Sequence, residues 1–153
     1  MSRAFVKEQD GEPEPLPDRP ISSHPNIVTP EGLAQIDAQL VDLQARHAAA
    51  LKATDRAALA AVARDLRYWR ARRASAQLHK PAQTPSKVGF GTKVTILRDD
   101  GRRQTWRIVG EDEADPAQGT LSYVSPVARA LMDKQVGDVV RAGPSDAEIV
   151  AIS

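Results

Sequence analysis

Arg107-Ile108-Val109-Gly110-Glu111-Asp112-Glu113-Ala114-Asp115 places four acids within five positions, directly after an apolar run. The run reads as the end of a β-strand, and the acids as the turn that leaves it. Taken alone, the acids fit a solvated turn, a protein-binding surface or a divalent-cation site. Hard cations want several carboxylate oxygens. This segment lacks the alternating acids and central glycine of a calcium loop.

The sequence on either side of the turn reads as β. Upstream, Val88, Phe90, Thr92, Val94 and Ile96 alternate as a half-buried strand requires. Asp99-Asp100-Gly101 is a hairpin turn, and Thr105 to Val109 the return strand. Downstream, Thr120 to Val124 predicts a third strand. Ser125 caps a short helix with Pro126 at its first position and Val127, Ala130 and Leu131 on its apolar face. Gly137-Asp138 turns the chain into Val139-Val140-Arg141, and Glu148 to Ile152 closes the sheet. Residues 88–153 thus predict a small antiparallel sheet with one short helix, an α+β arrangement.

Before this domain the period changes to that of a helix. Thr29 caps, Pro30 suits the first turn, and Glu31 complements the helix dipole. Leu33, Ile36, Leu40, Leu43, His47 and Ala50 recur at spacings of three and four. Lys52-Ala53-Thr54-Asp55 breaks the stripe, with Thr54 or Asp55 as the next cap. Leu59, Val62, Leu66, Trp69, Arg73 and Ala76 form a second stripe. Residues 29–79 therefore predict an antiparallel helical hairpin, or coiled coil, with arms of about 22 residues, or ~33 Å. Alanines crowd its tip, while Leu33, Ile36, Trp69 and Leu78 should make its base the firmer end. A linker with two prolines occupies 80–87, and a proline-punctuated polar tail, extended or disordered, occupies 1–28.

Composition excludes several kinds of chemistry. There is no cysteine, hence no disulfide or thiolate site. His24, His47 and His79 lack metal-ligand spacing. No apolar run approaches the ~20 residues that span a bilayer, and the N-terminus turns acidic rather than apolar, unlike a secretory signal. A cytoplasmic protein without membrane contact is expected. No G-x-S-x-G nucleophile elbow occurs, and Gly89-Phe90-Gly91-Thr92 lacks the lysine and spacing of a phosphate loop. The net charge of +1 hides an arginine-rich second helix. Arg56, Arg64, Arg67 and Arg70 share one broad arc, Arg72 lies off it, and Arg73 sits on the apolar seam. Such an arc can follow a phosphate backbone or be an ordinary solvated face.

Four segments carry a family resemblance. Val88-Gly89-Phe90-Gly91-Thr92-Lys93-Val94-Thr95-Ile96, the run Ile108 to Asp115, Leu121-Ser122-Tyr123-Val124-Ser125-Pro126-Val127-Ala128-Arg129-Ala130-Leu131, and Val136-Gly137-Asp138-Val139-Val140 resemble, in order and spacing, the C-terminal domain of the GreA/GreB transcript cleavage factors. Thr29-Pro30-Glu31-Gly32-Leu33 resembles the start of that family's coiled coil, and Met1 to Glu8 is similar to the opening of GreB-like members. The resemblance implies an FKBP-like fold used for docking on RNA polymerase rather than for prolyl isomerisation. Phe90, Trp106 and Tyr123 are also too few for an aromatic proline pocket. It implies Asp112, Glu113, Asp115, Ser125 and Pro126 in or near the docking region. It implies a hairpin that enters the polymerase's secondary channel among nascent RNA and DNA, and acts on paused or backtracked complexes.

The same resemblance implies that two tip acids, in a motif G-D-x-S-E-N-A-x-Y, help hold a polymerase Mg²⁺, with no cofactor of the factor's own. The factor would not itself be an enzyme; it would stimulate the RNA cleavage intrinsic to the polymerase. This chain departs from the motif. If Tyr68 is aligned with the motif tyrosine, the acid positions fall on Ala61 and Arg64. If the break in the stripes marks the tip, Asp55 is its only acid. Asp65 is a weak substitute under either alignment. Arg64, Arg67 and Arg70 are candidates for RNA or channel contact. The arms are shorter than those typical of the family, as in Rnk-like relatives that occupy the channel without stimulating cleavage. A hairpin that folds on itself needs no second copy, so a monomer is expected.

Overall fold

The computed structural model describes residues 15–153. Two helices and the strands at their base come first. β1 (Ile27–Val28) leads into α1 (Pro30–Lys52), which is followed by α2 (Arg56–Ser75) and β2 (Gln77–Leu78). β1 and β2 pair in parallel. Thr29 caps α1 as expected, accepting a hydrogen bond from Gly32 N at 3.0 Å. The arms have 23 and 20 residues, so the longer spans about 35 Å. Leu43, Val62 and Leu66 fill the seam, with Leu40 and Trp69 packed on them. At the base Ile36 and Val28 are fully buried, whereas Leu51 near the tip is 57% exposed. Of the residues expected to firm the base, Ile36 is sealed, Leu33 and Trp69 are half-buried, and Leu78 is exposed; at the tip Ala50 is buried beside the exposed Leu51.

The second unit is a five-stranded sheet in the order β5-β4-β3-β7-β6. It comprises β3 (Lys93–Arg98), β4 (Arg103–Val109), β5 (Thr120–Ser122), β6 (Val139–Ala142) and β7 (Ser145–Ile152), with α3 (Pro126–Leu131) between β5 and β6. Val94, Ile96, Ile108, Ala128, Leu131 and Ile149 form its sealed core. The α+β class and the hairpin-then-sheet order hold.

Several local expectations are corrected. The sheet is mixed rather than wholly antiparallel: β5 returns parallel to β4 after the acidic turn, with Ile108 opposite Leu121. The first long strand begins at Lys93, not Val88. Thr92 Oγ1 donates to Gly89 O at 2.8 Å and accepts from Gly89 N at 3.0 Å, closing a turn where alternation implied a strand. The N-terminal tail is not loose over the part described. Residues 1–14 lie outside the described residues, while 15–28 run extended against α2 and end in β1, with Asn26 and Val28 buried.

Candidate functional site

Sequence reading marked three places: the hairpin tip, the arginine flank of α2, and the acidic turn with its neighbours. The tip is Ala53-Thr54-Asp55. Thr54 takes a left-handed backbone, φ 53°, which folds α1 back into α2. Asp55 is at the tip, exposed, and caps α2 by accepting from Ala58 N at 3.0 Å. Asp65 is ten residues beyond Asp55, about 15 Å along the axis of α2. Its carboxylate faces Arg19 at 3.3 Å and Arg64 at 3.6 Å. The tip therefore carries one acid, and Asp65 does not join it. Among the described residues no group of three or more His, Asp or Glu side chains could hold a metal ion.

The arginine arc is partly covered by the N-terminal segment. Arg67 donates to Asp18 at 2.5 Å and to the carbonyl of Leu16 at 3.0 Å. Arg64 lies against Asp65. Arg70 is exposed and borders, with Arg67, His47 and Gln44, a groove of about 330 Å³ between the arms. The arginine that enters the interior is Arg72, only 2% exposed, whereas Arg73, expected on the seam, is exposed and paired with Asp37 at 2.7 Å. The reason is tertiary packing. At the base, α2 meets the sheet domain and the N-terminal segment as well as α1, so a different face of the helix is buried.

Arg72 organises a joint between hairpin and sheet domain, and the acids of the opening stretch supply its other half. Arg72 Nε donates to Asp112 Oδ2 at 2.5 Å, and its Nη2 donates to Asn26 Oδ1 at 2.7 Å. Asn26 returns a hydrogen bond to the carbonyl of Arg72 at 2.7 Å. Tyr68 donates its phenol proton to the other oxygen of Asp112. Glu113 accepts from the Thr29 hydroxyl at 2.6 Å, tying the cap of α1 to the sheet domain. Glu111 accepts from Ser22 at 2.9 Å and stands 3.9 Å from Arg72, a Coulombic rather than a hydrogen-bonding distance. Tyr123 donates to the carbonyl of Pro25 at 2.5 Å. Burial, then the bond to Asp112, pushes the Tyr68 phenol up to about 12. Burial, then the Glu111 carboxylate, raises that of Tyr123.

The expected docking residues thus divide. Asp112 and Glu113 are engaged within the chain. Asp115 is exposed and caps a 3-10 turn, accepting from Ala117 N at 3.2 Å. Ser125 caps α3, accepting from Ala128 N at 3.3 Å, and Pro126 beside it is exposed. The sequence pattern does not mark Arg72, Tyr68 or Asn26 as partners of these acids. The one available signal was charge: a cluster of acids with no cation beside it in sequence, and an arginine off the solvent-facing arc.

A helical arm is thus fixed at its base to a small sheet domain by the polar contacts of Arg72, Asp112, Tyr68 and Glu113. Residues 82–153 match the family described as "Transcription elongation factor, GreA/GreB, C-term". The sheet domain is therefore a domain of the GreA/GreB C-terminal type. It is 50% identical over 58 residues to transcription elongation factor GreB of Neisseria meningitidis, covering 38% of this chain and 36% of the relative. It is 44% identical over 85 residues to transcription elongation factor GreA of Alkalilimnicola ehrlichii, covering 51% and 54%. The chain therefore spans no more than about half the length of these curated relatives. The crystal structure of GreA factor homolog 1 of Thermus thermophilus aligns over 85% of this chain and 99% of its own, at 18% identity and a TM-score of 0.42. No helix among the described residues is long and apolar enough to cross a membrane.

Proposed function

We propose that this chain binds bacterial RNA polymerase, docks through its sheet domain, and inserts the helical arm into the secondary channel. The observation that carries the reading is the joint. A domain of the GreA/GreB type holds a two-helix arm at its base through Arg72, Asp112 and Tyr68, so docking one part aims the other. Asp115, Ser125 and Pro126 lie in or near the docked face, and Asp112 and Glu113 set the arm's direction. Arg64, Arg67 and Arg70 line the flank that meets RNA or the channel wall.

The tip favours occupancy of the channel over stimulation of cleavage. Mg²⁺ is held well by several carboxylate oxygens and poorly by one. Asp55 is the tip's only acid, and its carboxylate already serves as a helix cap. To touch a polymerase Mg²⁺ it would have to release that bond. The protein therefore acts as a secondary-channel regulator that competes with other factors and stimulates cleavage weakly or not at all.

The test is a backtracked polymerase–RNA complex in Mg²⁺, with RNA length and binding measured together. Binding without RNA shortening, and displacement of an added cleavage factor, is the expected result. Efficient shortening that Asp55→Ala abolishes would restore a cleavage role for the tip. Absence of binding would overturn the whole reading.

A further inference from the structure

The N-terminal segment holds against α2 a guanidinium stacked on an aromatic ring and, one residue earlier, a carboxylate paired with an arginine. The Arg19 guanidinium lies 3.9 Å from the centroid of the Tyr68 ring and 5.9 Å from that of Trp69. Its Nη1 donates to Asp65 Oδ1 at 3.3 Å. One residue earlier, the Asp18 carboxylate takes the Nε proton of Arg67 at 2.5 Å. Arg64 Nε is buried beside Asp65 and has no hydrogen-bond partner among the described residues.

The face thus offers an aromatic platform, a carboxylate at the edge of the stacked group, and a guanidinium for an anion within one residue's reach. A guanine nucleotide presents the matching set. Its base is planar and carries adjacent N–H donors on the Watson–Crick edge, as a guanidinium does, and it is joined to a phosphate. Unpaired bases stack on aromatic side chains and are read at that edge, and arginine binds phosphate through charge-assisted hydrogen bonds. We propose that this face of α2 is a guanine-nucleotide site, closed in this conformation by Asp18 and Arg19. Tyr68 stacks the base, Asp65 accepts from its N–H groups, and Arg67, with Arg64 beside it, holds the phosphate. Adenine presents an acceptor nitrogen where guanine has a donor, so Asp65 disfavours it. The strap opens readily, because its ion pairs are partly exposed, and such pairs are weak and screened by salt.

A free nucleotide and a guanosine in single-stranded RNA share this chemistry. The inference extends the RNA contact proposed for this flank to a particular base. It is tested without polymerase, so its failure leaves polymerase binding standing. GMP, AMP, a guanosine-containing single-stranded oligoribonucleotide and a short Asp-Arg peptide are titrated calorimetrically into the full chain and into Arg19→Ala. Arg19→Ala should bind GMP about fivefold more tightly than the parent chain, since the partly exposed ion pair with Asp65 and the stacking on Tyr68 are removed from the competitor. GMP should bind more tightly than AMP, and Asp65→Asn should erase that preference. Arg67→Ala should weaken both nucleotides. Saturation by GMP supports a free nucleotide as the source, and binding of the oligonucleotide alone supports RNA. Binding of neither GMP nor the oligonucleotide by either protein, equal affinity of the two proteins for whichever of them binds, or binding of the peptide alone would overturn the proposal.

Discussion

Arg72 is the residue on which the hairpin and the sheet domain depend together. Its side chain is 2% exposed, and that of its partner Asp112 is 13% exposed. Truncation leaves the Asp112 carboxylate without its cation and Asn26 Oδ1 without its donor, and breaking a buried pair from one side costs about 3–5 kcal/mol. Arg72→Ala should lower unfolding stability by about 3 kcal/mol in urea titration. Arg72→Lys should recover only part of it, because an ammonium cannot reproduce the fork that meets Asp112 and Asn26 together. A loss under about 1 kcal/mol would show that the pair is merely tolerated. Tyr68 reports on the same joint through pH. Its phenol is shifted from 10.0 to about 12, so the fold favours the protonated form. That contribution is complete below pH 10 and disappears as pH rises through about 12. Tyrosinate absorbance should show one of the two tyrosines ionising near pH 12, and Tyr68→Phe should remove that step. Ionisation of both at the ordinary value in the folded protein would contradict the bond to Asp112.

The elements were legible in proportion to how local their causes are. Both helices could be read because the stripes, Thr29 as cap and the break at Thr54-Asp55 all lie within the segments they specify. The start of β3 could not, since alternation from Val88 to Ile96 continues through a turn closed by the Thr92 hydroxyl. The exchange of Arg73 for Arg72 depends on a third body packing at the base of α2, which no periodicity within the helix reports. For the same reason the acids Glu111 to Glu113 were recognisable as a cluster but not as a joint: their partners lie 40 to 89 positions away. The tip provides a test at this scale. Thr54 is β-branched and sits at φ 53°, where such residues are strained. Thr54→Gly should raise stability by about 0.5–1 kcal/mol, and Asp55→Ala should lower it by about 1 kcal/mol through loss of the cap. Both are read by thermal unfolding followed at the helical circular dichroism band. An opposite sign for Thr54→Gly would mean that the added freedom of the unfolded chain outweighs the relief of strain.

Across the whole molecule, the arm is aimed only if the two units unfold and turn as one. The backbone of β1 lies against Gly110, the residue between the sealed strand β4 and the acids of the joint. A Cβ placed there would lie 2.3 Å from the carbonyl oxygen of Ile27, which is backbone and cannot swing aside. Gly110 therefore matters for contact rather than for an unusual backbone, and its neighbour Val109 is fully buried in the sheet domain. Gly110→Ala should push β1 away and, with it, Asn26 and Thr29, the partners of Arg72 and Glu113. The sheet core around Ile96, Ile108 and Ile149 contains no residue of the hairpin and should survive. Hydrogen exchange should then show α1, α2 and β1 losing protection while β3, β4 and β7 keep theirs. In the parent chain, the most protected amides of both units should exchange together. Polymerase affinity carried by the sheet domain should fall much less than the ability to exclude another factor from the channel, because docking survives while aim is lost. Equal loss of protection in both units would instead mean that the sheet domain needs the joint in order to fold, and the arm could not be called a separately aimed element.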